Sequence, residues 1–83
     1  MQAAIILPDL GAAGPIRLSA WFADVGDVVY EGDRLVEVLV GGATFDVSAP
    51  ATGRLLRKDV HVDAVVEPGH VLGAVEPRER ADD

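Results

Sequence analysis

Eighty-three residues are enough for one domain, and a chain this short buries only about 60% of the surface its unfolded form exposes, so its core must be compact. With 49% hydrophobic residues but two Phe, one Trp and one Tyr, that core must be built from Val, Leu, Ile and Ala, and the absence of cysteine excludes a disulfide scaffold and thiolate metal ligation. Fourteen acidic residues against seven basic ones give a formal charge of −7, which repels phosphate backbones and anionic lipid and leaves neutral or basic proteins as partners.

The amino-terminal run Ala3-Ala4-Ile5-Ile6-Leu7 has no basic segment before it and stops at Pro8. It is too short for a membrane span and lacks the pattern of a signal peptide, so it reads as a strand over 2–7 and the expected location is the cytoplasm. Further apolar stretches between Gly, Pro and Asp punctuation predict strands over 16–22, 28–30, 34–40, 43–48, 53–60, 65–67 and 71–75. No window sustains a helical period. Residues 77–83 are charged and are expected to fray, which confines the domain to residues 1–76.

Only Gly41 and Gly42 separate the fourth and fifth strands, the pattern of a two-residue hairpin whose turn needs positive φ. That loop fixes the register by pairing Val40 with Ala43, Leu39 with Thr44, Val38 with Phe45, Glu37 with Asp46 and Val36 with Val47. Val36, Val38, Phe45 and Val47 then face the core, and Glu37, Asp46, Leu39 and Thr44 face solvent. Glu37 and Asp46 oppose each other as like charges, an unfavourable pair without compensation; it reads as a hydrated acidic face and not as a metal site.

The chain also repeats. A shift of 37 residues lays Val28 on Val65, Val29 on Val66, Gly32 on Gly69, Leu35 on Leu72, Val38 on Val75 and Leu18 on Leu55. Two half-sheets, each with an apolar face, can bury those faces only against each other. The expected fold is therefore all-β, a flattened barrel or sandwich of two antiparallel four-stranded sheets with quasi-twofold symmetry.

Catalytic chemistry finds no support. His61 and His70 have no carboxylate cluster at metal-ligand spacing and read as solvated or half-buried strand residues. Ser19 and Ser48 lack a nucleophile motif, and the glycine pairs precede no helix that would cradle phosphate. Trp21 reads as a plug of the sandwich, and Lys58, the one lysine, as a solvent-facing strand residue.

Four motifs, in order, resemble the biotinyl/lipoyl attachment domain, and most closely the lipoyl domain of the acyltransferase components of 2-oxo acid dehydrogenase complexes. They are Leu7-Pro8-Asp9-Leu10-Gly11; Trp21 with Gly26-Asp27-x-Val29 and Gly32-Asp33-x-Leu35-x-Glu37-Val38; the stretch from Ala43 through Ala49-Pro50-Ala51-x-Gly53; and Val66-x-x-Gly69-x-x-Leu72. The resemblance runs from Ile5 to Glu76. It implies a barrel-sandwich fold whose central hairpin displays an aspartate-lysine-alanine turn, the lysine carrying lipoate as an amide. On that alignment Gly41 takes the place of the aspartate, Gly42 that of the lysine and Ala43 that of the alanine, so the attachment amine is missing and no cofactor is expected.

Leu39 and Val40 replace the acidic or polar residues usual before the lysine. The loop after Gly11 is about one residue short, with Ile16 where glycine is common. The resemblance implies a non-catalytic, non-lipoylated accessory or recognition module. Its partner is expected to be a protein, a 2-oxo acid dehydrogenase component or another subunit, with no role for nucleic acid or membrane. In the family the loop after the first strand lies near the lysyl hairpin, so Asp9, Leu10, Gly11, Leu39, Val40, Gly41, Gly42 and Ala43 are the candidate contact residues, with Leu39 and Val40 as an exposed apolar patch. Two other roles remain open at this point: a genuine carrier whose attachment lysine is altered in this chain, and a structural hairpin module of an exporter or carboxylase subunit.

Overall fold

Period-two alternation broken by glycine turns produces eight strands and no α-helix among residues 1–78, the part of the chain that this computed structural model describes. In chain order they are β1 (Ala3–Ile6), β2 (Ile16–Trp21), β3 (Val28–Val29), β4 (Arg34–Val40), β5 (Ala43–Ser48), β6 (Gly53–Lys58), β7 (Val65–Val66) and β8 (Val71–Pro77). They form two antiparallel four-stranded sheets, β1-β8-β6-β3 and β5-β4-β2-β7. This is the expected sandwich. Between the sheets lies an aliphatic core that includes Ile5, Leu7, Leu18, Leu35, Val36, Val38, Leu55, Leu72 and Val75, each no more than 1% exposed.

Strand limits agree with the expected ones for β4 and β5 and differ elsewhere for local reasons. The strand expected over 53–60 stops at Lys58, because the Val60 carbonyl accepts the Trp21 indole N–H at 2.8 Å and is held by that side chain. β8 runs on to Pro77, and the Arg78 N–H donates to the Thr52 carbonyl at 2.8 Å, so the first residues of the expected tail continue the sheet. Pairing with β1 has already ended at Ala3–Val75, so the proline costs no ladder bond on that side. The rest of that tail, 79–83, lies outside the described residues.

Trp21 fills the space over Gly73: a Cβ placed on that glycine would sit 3.2 Å from the indole Cη2. Trp21→Phe removes the bond to Val60 and part of the buried ring. It should lower stability by about 1.5 kcal/mol, read by circular dichroism as a lower urea midpoint at unchanged slope.

The repeat is present down to single hydrogen bonds. β2, β3 and β4 map onto β6, β7 and β8 at the 37-residue offset, with identical strand lengths. Leu18 N–H donates to Ala64 as Leu55 donates to Asp27, and Asp63 N–H donates to Leu18 as Gly26 donates to Leu55. The Arg17 guanidinium reaches the Asp63 carbonyl at 3.1 Å, and its mate Arg54 reaches the Gly26 carbonyl at 2.8 Å. Gly26 and Asp63 both have positive φ, 97° and 77°, the second being the one non-glycine residue in that region among those described. β5 is the mate of β1. The Glu37–Asp46 and Arg34–Ser48 pairs correspond to Ala74–Ala4 and Val71–Ile6, with the β-bulge at the same place in both ladders.

Candidate functional site

The hairpin between β4 and β5 turns on Gly41 and Gly42, with φ of 54° and 86°. Two successive positive values define a type I′ turn, whose twist matches the flanking strands and which side chains enter only with strain. The register is the one expected at all five pairs from Val40–Ala43 to Val36–Val47. Both glycines are exposed, and a Cβ built on either would have no atom within 4 Å. The turn is thus a free, narrow tip.

Ile16 pairs with Val40 across β2 and β4, which brings the far end of the connection 7–15 directly beside the tip. Its near end is fixed separately. Leu7 is buried and bonded through its N–H to His70 (3.0 Å) and through its carbonyl to Gly69 (2.7 Å). Asp9 then accepts the Gly11 N–H at 2.9 Å, with Gly11 at φ 66°, while half-buried Leu10 packs under the core. Leu39, Gly41, Gly42 and Ala43 therefore share one point. Asp9, Leu10 and Gly11 lie at the same end of the sandwich but form no hydrogen bond to the hairpin among the described residues.

One expectation fails here. Val40 is 4% exposed and belongs to the core. Alternation continues from Val36 and Val38 through Val40, and its partner on β2, the buried Ile16, belongs to the same layer. The exposed apolar patch at the tip consequently reduces to Leu39, 40% exposed, and the small residues around it.

The opposed carboxylates of Glu37 and Asp46 are compensated within the chain. The Ser19 hydroxyl lies 2.8 Å from Glu37 Oε1 and 3.0 Å from the Glu37 carbonyl, and an Arg34 Nη1 lies 3.5 Å from Asp46 Oδ2. The Arg34 guanidinium also stacks 4.6 Å from the centre of the Phe22 ring. Exposed pairs of this kind contribute about 1 kcal/mol or less, so they set local geometry more than stability. Neither stretch that meets at the tip, 10–16 nor 38–45, contains an ionisable side chain.

Lys58 departs from the expected solvent-facing role. Its Nζ lies 3.2 Å from Asp24 Oδ1 and 5.5 Å from the centre of the Trp21 ring, and its side chain is 26% exposed. A hint was present in the repeat, which places Lys58 on Trp21 and so puts both at the same seam of the sandwich. His61 and His70 are solvated, one of the two expected states, but differ from expectation in their place. Both are exposed in the turns flanking β7 and not on strands, because Asp63 and Gly69 bend the chain there through positive φ. No group of His, Cys, Asp or Glu that could hold a metal occurs among the described residues, and no helix among them is long and apolar enough to cross a membrane.

An amide-linked lipoyl or biotinyl group needs a side-chain amine at the exposed turn. Glycine supplies none, and the lone lysine is held against an indole away from the tip. The residues at the turn do not fit such a group.

Comparison with known proteins places this geometry. The family model described as "Biotin-requiring enzyme", Biotin_lipoyl, matches residues 3–75. The lipoamide acyltransferase component of the branched-chain alpha-keto acid dehydrogenase complex of Pseudomonas putida is 29% identical over 73 residues, covering 87% of this chain. Its counterpart in Pseudomonas aeruginosa is 38% identical over 53 residues, or 63% of the chain. The chain spans 17% and 12% of the length of these two relatives. The solution structure of the lipoyl domain of the 2-oxoglutarate dehydrogenase complex from Azotobacter vinelandii superposes with a TM-score of 0.69 at 19% identity, covering 90% of this chain and 100% of that one. With the family model spanning nearly every described strand, the two interlocked sheets ending in a free β-turn identify this chain as a member of the biotin/lipoyl attachment domain family.

Proposed function

We propose that this domain carries no prosthetic group and serves as a recognition or accessory module, docking a protein through the end of the sandwich that bears Gly41 and Gly42. The observation that carries the reading is the type I′ diglycine turn at the exposed tip, the position at which the resemblance to lipoyl domains implies the attachment lysine. Amide formation with lipoate or biotin requires a nucleophilic amine projecting from the turn, and a glycine cannot be a substrate for a ligase that acts on one.

The rest of the tip suits a binding role. Leu39, Ala43, Asp9 and Gly11 are exposed, Leu10 is half-buried beside them, and the turn contributes backbone groups without side-chain entropy to lose. The lipoamide acyltransferases to which the chain is similar are components of 2-oxo acid dehydrogenase complexes, so the favoured partner is a component of such an assembly or another subunit that recognises this fold. The domain itself performs no catalysis on this reading.

Coexpression with lipoate ligase and lipoate, and separately with biotin ligase and biotin, should leave the intact mass of the chain unchanged. A gain of one lipoyl or biotinyl group would overturn the proposal.

A further inference from the structure

The quasi-twofold axis supplies an internal control for the two solvent faces of the sandwich. Mated positions share backbone geometry, strand pairing and bulge, so the fold makes the same demand of both members of a pair. Four pairs differ in chemistry and agree in exposure. On the β5-β4-β2-β7 face Asp46, Ser48 and Arg34 are exposed and Ser19 is half-buried; their mates on the β1-β8-β6-β3 face are Ala4, Ile6, Val71 and Leu56, exposed and half-buried in the same order. Ile6 and Val71, paired directly across β1 and β8, are 50% and 38% exposed. Three exchanges run the other way: Leu39 against Glu76, at the tip, and Ala20 against Arg57 and Trp21 against Lys58, half-buried in both members.

The fold therefore does not require an apolar surface on this face, since it is satisfied by charge and hydroxyl at the mated positions. A run of exposed aliphatics that local structure does not call for marks a surface covered by something else. We propose that the β1-β8-β6-β3 face is a self-association surface, on which a second copy of this chain packs through Ala4, Ile6, Leu56 and Val71.

Charge selects the second copy as the occupant. The chain carries −7, but the ionisable groups around this patch are balanced: Arg57 is paired with Asp59 at 2.9 Å, and Arg54 lies opposite Glu76 in the ladder. Here two acidic molecules can meet without confronting their net charge. An isologous interface must complement itself, and an aliphatic centre flanked by two guanidiniums and two carboxylates does so, because a twofold can bring each against the other sign. A strongly basic partner would find its complement elsewhere on the molecule.

Sedimentation of the full chain tests this. Across about 10 to 500 µM the weight-average mass should rise reversibly from 8.7 kDa toward twice that value. The triple variant Ala4→Asp, Ile6→Ser and Val71→Arg gives each position the residue of its mate, so the fold should tolerate it. It should weaken association at least 100-fold, with the circular dichroism spectrum unchanged. Should the triple variant fail to fold, Ile6→Ser alone carries the test, with at least a tenfold loss expected. Val65→Thr, an exposed position of β7 in the other sheet, should leave association unaltered. A wild-type chain that stays monomeric throughout the range overturns the proposal, as does a folded triple variant that still dimerises. Neither result bears on whether the chain is lipoylated.

Discussion

Gly53→Ala is expected to lower the unfolding free energy by about 3 kcal/mol and the thermal midpoint by roughly 15 °C. A Cβ at this position would fall on the Glu76 carbonyl oxygen, with the Glu76 carbonyl carbon at 2.8 Å and the Pro77 Cα at 3.0 Å. All three are main-chain atoms of β8, which is bonded to β6 and, over most of its length, to β1, so none can move aside as a side-chain end would. Relief requires β6 and β8 to separate where Gly53 pairs with Pro77. The mate of Gly53 is Ile16, which carries a full side chain into the core, so the close approach is particular to this half. Thermal and urea unfolding followed by circular dichroism check the expectation. A loss below about 1 kcal/mol would show that β8 accommodates the methyl group.

The second large effect is a gain. Gly42→Lys should convert the chain into a ligase substrate, shifting its intact mass by one lipoyl group where the unmodified sequence shows none. Space is not the obstacle, because a Cβ at Gly42 meets no atom within 4 Å. The cost lies in φ, which at 86° disfavours an L side chain by about 1 kcal/mol, a loss that unfolding measurements on the variant should register. The variant must be shown to fold before the mass is read. If it folds and stays unmodified, the uncharged surroundings of the turn have also lost what the ligase recognises. Adding Gly41→Asp then tests that directly, since φ of 54° lies in the left-handed region that aspartate tolerates.

The local signals in the sequence were strong enough to give the tip almost entirely. Gly41-Gly42 between two apolar runs set turn type and register, and both hold. The repeat was legible because turn glycines and core valines recur together at one spacing. Val40 was placed wrongly because proximity to an exposed turn outweighed the alternation that runs through Val36 and Val38. Lys58 escaped for a different reason. Its cover comes from Trp21 and Asp24, far along the chain, and no local pattern encodes that contact. The correspondence of β5 with β1 was invisible to a constant offset, because the connection 7–15 is longer than its counterpart 49–52. The contrast between the two faces could be drawn only once ladder pairing had aligned those strands.

The order of strands has a kinetic consequence. β3 completes the sheet built on β6 and β8, while β7 completes the one built on β2 and β4, so each half lends its shortest strand to the other. Neither half has a finished layer by itself, and a nascent chain cannot settle its first half until the second has emerged. Assembly should accordingly be all-or-none and paced by the search for distant neighbours, in milliseconds to seconds and not microseconds, about the range of other β topologies dominated by nonlocal pairing. The reciprocal loan that makes the molecule symmetric also makes it indivisible.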